Sequence, residues 1–152
     1  MQHPIAFGLA GHNYLVLRNQ DNEVVSEMHG LATNPTTHEW KYIGNNPNDI
    51  LQVWLFDSPR YYLAEKTFAG VILNEGTKDE VNGLWQKAES CIIPINSKQL
   101  PYPPYGVNPH GDTENSNSVA YTLSLCMGLD AKHLGLVTPG ATRNLLDADV
   151  RP

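Results

Sequence analysis

The order of the regular elements constrains this chain most. Apolar patterns of strand type fill the first half, and the two patterns of helical spacing both come after them. Strands that precede helices, rather than alternate with them, point to an α+β fold with an antiparallel sheet and two main helices, not a doubly wound parallel sheet. His12–Arg18 and Glu23–His29 read as the arms of a β-hairpin around the polar cluster Asn19–Asn22, with Gly30 closing the second arm. Trp40–Ile43 reads as a short strand between the loops at 33–37 and 44–49. Ile50–Phe56 reads as a strand stopped by Ser58-Pro59. The stretch from Tyr61 to Leu73 ends in an expected strand, just before Asn74-Glu75-Gly76. Thr77 with Glu80 three residues on is a capping box, and Val81, Leu84, Trp85, Ala88 and Ile92 follow at helical spacing. That helix is expected over 78–92, ending before Pro94, with Val81 and Trp85 buried. Asn115-Ser116-Asn117-Ser118 stands before Val119, Thr122, Leu123 and Cys126, the inner face of the second helix, which Gly128 ends.

With 152 residues the chain is expected to form a single domain over 1–152. Hydrophobic residues at 41% supply a core, and charged residues at 17% are too few for a disordered tail. Sixteen acids against ten bases, a net charge of −6, leave no basic footprint, so no nucleic acid is expected as a partner. No apolar run reaches the length of a membrane span, and the N-terminus has no signal-peptide pattern. A cytoplasmic protein, or one exported by a dedicated secretion machine, fits that pattern. Cys91 and Cys126 are too few for a thiolate metal site and far apart in sequence. Both read as buried thiols; a single disulfide is allowed by the sequence and not implied by it. Residues 97–114 hold four prolines and no periodicity, and a loop of that length is more often functional than idle.

Two constellations carry chemistry. If the hairpin turn is centred between Gln20 and Asp21, paired residues sum to 41. Arg18 then faces Glu23, and His12 faces His29. Glu27 shares the face of His29, so one hairpin presents two imidazoles and a carboxylate, as a general base and its orienting partner require. The plainer reading is a polar solvent face, and a slip of one residue would separate the two histidines. The Asn-Ser-Asn-Ser run is first of all a helix cap. The same position also offers free N–H groups and the positive end of the helix dipole to a nucleophile and an oxyanion.

Taken together, Gly11-His12-Asn13-Tyr14-Leu15-Val16-Leu17, His29 on the partner strand and the distant Asn115-Ser116-Asn117-Ser118-Val119 resemble the motifs of circularly permuted papain-like proteins. Those are the permuted NlpC/P60 peptidases and the lecithin-retinol-acyltransferase-like group. The resemblance covers about a third of the chain, and residues 31–114 match nothing in those families. It implies acyl transfer without a cofactor. Ser116 stands in the place of the catalytic cysteine, His12 is the general base, and His29, with Glu27 second in line, orients it. The loop from 97 to 114 is expected to wall the cleft, which makes Tyr102, Tyr105 and His110, with Asn115 and Asn117, the expected substrate-binding residues. The substrates implied are amide bonds of a peptide or peptidoglycan fragment, or lipid esters; the amide is favoured because no hydrophobic anchor is evident. An exported effector or toxin of this kind is expected to meet a cognate inhibitor protein. Serine in place of cysteine has three readings: a native serine nucleophile, an inactive site kept for binding, or a replaced cysteine.

Two rivals remain. His12, His29 and His110 can be imagined around zinc, but no HExxH or Cys-x-x-Cys spacing supports it, and His38-Glu39 lacks its second histidine. A calcium loop over 112–123 fails at Leu123, where glutamate is needed. No metal is therefore expected. The other rival is a non-catalytic binding module that uses Tyr102, Tyr105 and His110 as an aromatic surface on the proline-rich loop.

Overall fold

A ten-residue strand organises the molecule. The computed structural model of the chain describes residues 2–5, 10–41, 43–57, 71–107, 113–131 and 140–146. Among them β1 (Gln2–Ile5) pairs antiparallel with β2 (Ala10–Asn13). In a second sheet β4 (Val24–Thr33) lies at the centre, with β6 (Ile50–Asp57) along one edge. The short β3 (Leu15–Arg18) and β5 (Trp40–Lys41) share the other edge. All pairings are antiparallel, so the class is α+β as the element order predicts.

The hairpin register differs from expectation. Asn22 adopts a left-handed φ of 63°, and Asn19 N–H donates to Glu23 O at 3.0 Å, giving a three-residue loop over 20–22. Arg18 then pairs with Val24, Val25 bulges out, and Leu17, Val16 and Leu15 pair with Ser26, Glu27 and Met28. Arg18 does not face Glu23; its guanidinium donates to Asn22 O at 2.6 Å, and Glu23 Oε2 accepts from Asn19 Nδ2. Nor is 12–18 one strand. It breaks at Tyr14, and His12 has His3, not His29, as its backbone partner.

Alternation along β4 sorts its two faces. Met28, Gly30 and Ala32 share one face with Leu51, Val53 and Leu55 of β6. Helices cover it. α1 (Lys78–Ser90) brings Trp85 and Ala88, α2 (Ile92–Ser97) brings Ile95, and α3 (Ser116–Cys126) brings Val119 and Leu123. Thr77 and Glu80 form the expected capping box. Val81 is only half-buried, and the helical chain does not stop before Pro94. It kinks at Cys91 and resumes, because a proline in a first turn lacks only an N–H that has no intrahelical acceptor. Cys91 and Cys126 are not thiols; they form a disulfide that ties this kink to the end of α3, with Cα atoms 6.7 Å apart. Residues 71–73 are not a strand, and Val71 and Ile72 are exposed. The rest of the Tyr61–Leu73 expectation lies outside the described residues. Among the described residues no helix is long and apolar enough to cross a membrane.

The outer edge of β6 is also paired. Asn96 exchanges two hydrogen bonds with Val53 (2.7 and 3.1 Å), Leu51 N–H donates to Leu100 O, and Tyr102 N–H donates to Asp49 O. The proline-rich segment therefore enters the fold as a strand-like edge, and this directs the Tyr102 ring inward.

Candidate active site

The Asn-Ser-Asn-Ser run divides its labour. Asn115 is the N-cap of α3, and its Oδ1 accepts from the N–H groups of Asn117 (2.9 Å) and Ser118 (3.3 Å). Ser118 Oγ answers by accepting from Asn115 N–H at 2.7 Å. Capping thus uses the first and fourth members. The second and third are turned to other partners. Asn117 Oδ1 accepts Asn13 N–H at 2.8 Å, next to His12. Ser116 is hydrogen-bonded to the side chain of Tyr102. A Cβ on Gly30 would lie 2.7 Å from Val119 Cβ and 3.0 Å from Ser116 Cα, so only glycine lets the first turn of α3 sit this close to β4. Ser116 therefore rests against the residue that follows His29, and Asn117 against the residue that follows His12.

On the opposite face of β4, the two histidines and the glutamate form one chain. His12 Nε2 lies 3.0 Å from His29 Nδ1, and His29 Nε2 lies 2.9 Å from Glu27 Oε2. All three side chains are buried, at 0%, 0% and 2% exposure. His12 reaches His29 although the two are not paired backbone neighbours: β2 leaves the sheet at Tyr14, and the imidazole bridges the gap. The Tyr14 ring stacks on His29 with centroids 4.2 Å apart, and Phe56 meets it edge-on at 5.5 Å. Burial pushes the His29 imidazole down to about 3, so it stays neutral. Burial first, and then the charge of Glu27, holds the Tyr14 phenol above its ordinary range.

The proline-rich loop supplies Tyr102. Its ring packs on Gly44, its phenol is pushed up to about 12 by burial, and its hydroxyl meets Ser116 as a neutral group. The loop is pinned to the α3 cap, since Asn115 Nδ2 donates to Gly106 O at 2.8 Å and Tyr105 N–H donates to Gly44 O at 2.8 Å. Tyr105 takes a left-handed φ of 57° and is 74% exposed, while Tyr102 is buried; the two tyrosines do not form one surface. His110 lies outside the described residues. Among the described residues no group of three histidine, cysteine or acidic side chains is arranged to hold a metal ion.

Two features escaped the sequence reading. Tyr14 and Gly30 carry no motif of their own; a glycine directly after a buried histidine was the available hint of a close approach. The sequence offers Tyr102 as a cleft or contact-surface residue or as one that packs its loop onto the domain, and the buried ring agrees with the last of these. No family model, curated protein or solved structure matches this chain.

Proposed function

We propose that this protein is an acyl-transfer hydrolase of permuted papain-like design, cleaving an amide bond in a peptide or peptidoglycan fragment. Ser116 is the nucleophile. Its hydroxyl proton passes to His12 as the Oγ–carbon bond forms and the carbonyl π pair moves onto oxygen. His12 then returns the proton to the leaving amine, and water repeats the sequence to free the enzyme. His29 orients His12, and the backbone N–H of Ser116, at the start of α3, contributes to the oxyanion hole. One observation carries this reading: the first turn of α3 is docked on the backbone of Gly30 and Asn13, the residues that immediately follow His29 and His12, although the two imidazoles project from the other face of β4 and the side chain of Ser116 is hydrogen-bonded to Tyr102.

The test is labelling and turnover with an activated amide and an activated ester. The wild-type protein should react with a fluorophosphonate at Ser116, and Ser116→Ala and His12→Ala should each abolish turnover. Ser116→Cys should give activity sensitive to thiol reagents. A greater kcat/KM on lipid esters than on peptide amides would move the substrate class to the ester, and wild-type-like turnover in Ser116→Ala would end the proposal.

A further inference from the structure

We propose that Glu27 is a positioning residue which, through His29, sets the nitrogen of His12 that is basic. This rests on the reading of His12 as general base. A carboxylate only accepts hydrogen bonds, so Glu27 Oε2 at 2.9 Å fixes the hydrogen of His29 on Nε2. A neutral imidazole carries one such hydrogen, which leaves the lone pair of His29 on Nδ1. That lone pair accepts at 3.0 Å from His12 Nε2, so Nε2 of His12 carries its hydrogen and Nδ1 holds its lone pair. The whole chain points one way, with every hydrogen directed toward the carboxylate. When Ser116 gives up its proton, the Oγ–H bond breaks and an N–H bond forms at His12 Nδ1. The imidazolium is held by its Nε2–H bond to His29, and no proton has to leave either ring along the chain.

Ring orientation does not need Glu27. The Tyr14 stack and the Phe56 edge hold the His29 ring, and β2 carries His12. What Glu27 adds is polarity. Without an acceptor at this position the chain can run in reverse, with His29 Nδ1–H donating to His12 Nε2 and the hydrogen of His12 moved to Nδ1. Such a His12 cannot take a proton from serine on that nitrogen. A structural role would predict lost stability; this role predicts a changed tautomer in a folded protein.

Nitrogen-15 spectra of the labelled imidazoles in the full chain at neutral pH test it directly. Both His12 and His29 should carry hydrogen on Nε2 in the wild type. Glu27→Met should populate Nδ1–H on His12 and lower kcat by about 10²–10⁴, the range of general-base catalysis, with KM held within about twofold. Glu27→Gln keeps an acceptor oxygen and should restore the tautomer, and kcat to within about tenfold. A wild-type His12 protonated on Nδ1, or a folded Glu27→Met protein with unchanged tautomers, would overturn the proposal. If Glu27→Met does not fold, the wild-type and Glu27→Gln spectra still decide. The expected tautomers together with no Ser116-dependent turnover would support the polarity of the chain and remove the acyl-transfer reading instead.

Discussion

An imidazole held neutral by burial makes a protein sensitive to acid. His29 is pushed down to about 3 in the fold, against an ordinary value near 6.5 in the unfolded chain. Between those values the unfolded state binds a proton that the folded state refuses. Stability is therefore fully present above about pH 6.5 and falls as the pH drops toward 3, at a slope approaching roughly 1.4 kcal/mol per pH unit from this group. Urea midpoints at pH 7 and pH 5 should differ clearly in the wild type, and the difference should shrink in His29→Gln. An equal loss in both proteins would show that carboxylates elsewhere dominate the acid response. Ser116 gives a contrasting case at the same scale. It is buried at 3% exposure beside a phenol, in a helix turn whose capping is done by its neighbours. Ser116→Ala removes one partner of the buried Tyr102 hydroxyl and should therefore cost about 1–3 kcal/mol, which leaves the variant folded and its assay interpretable.

Elements meet here through close approaches that few residues allow. Gly30→Ala places a methyl group against Val119 Cβ at 2.7 Å, and neither backbone has a flexible side chain to move aside. The substitution should destabilise by about 1–3 kcal/mol, as overpacking does, and should shift the first turn of α3. Slower fluorophosphonate labelling of Ser116 at a denaturant concentration where the variant is fully folded would separate that shift from unfolding. Trp85→Ala in α1 should cost about 3–5 kcal/mol, since the ring is in the core; a loss near zero would place the buried face of α1 elsewhere. The two caps and α1 were legible in sequence because capping is local: Thr77 with Glu80 and Asn115 with Ser118 are each three residues apart. The shared face of Glu27 and His29 was legible for the same reason, being strand alternation. The hairpin register was not. It depends on one left-handed asparagine and one bulged valine, and each moves the pairing by a residue. His12 still reaches His29 because the break at Tyr14 frees β2 from that register, a compensation no local pattern announces.

The whole molecule is closed by contacts distant in sequence, and these were the least legible. The segment around Tyr102 has no period, yet it pairs with the edge of β6 and lends its ring to the core. The pairing of Cys91 with Cys126 could not be read from composition, because two cysteines 35 residues apart are equally consistent with two buried thiols. It joins the kink between α1 and α2 to the last turn of α3, the helix that carries Ser116 at its other end. Closing a loop of this size should stabilise the fold chiefly by restricting the unfolded chain, by about 4 kcal/mol on the chain-entropy model and about 2–4 kcal/mol in typical proteins. For a chain of this length that corresponds to a melting temperature roughly 10 °C lower once the bond is lost. Cys91→Ser with Cys126→Ser, and separately the wild-type protein under strong reductant, should both show that drop, and the two should agree. The helix should keep its N-terminal docking through Asn117 and Gly30, so Ser116 labelling well below the lowered melting point should stay within a fewfold of wild type. A double variant that melts with the wild type would show that packing alone holds α3, and one that melts as expected but cannot be labelled would show that the disulfide fixes the site as well as the fold.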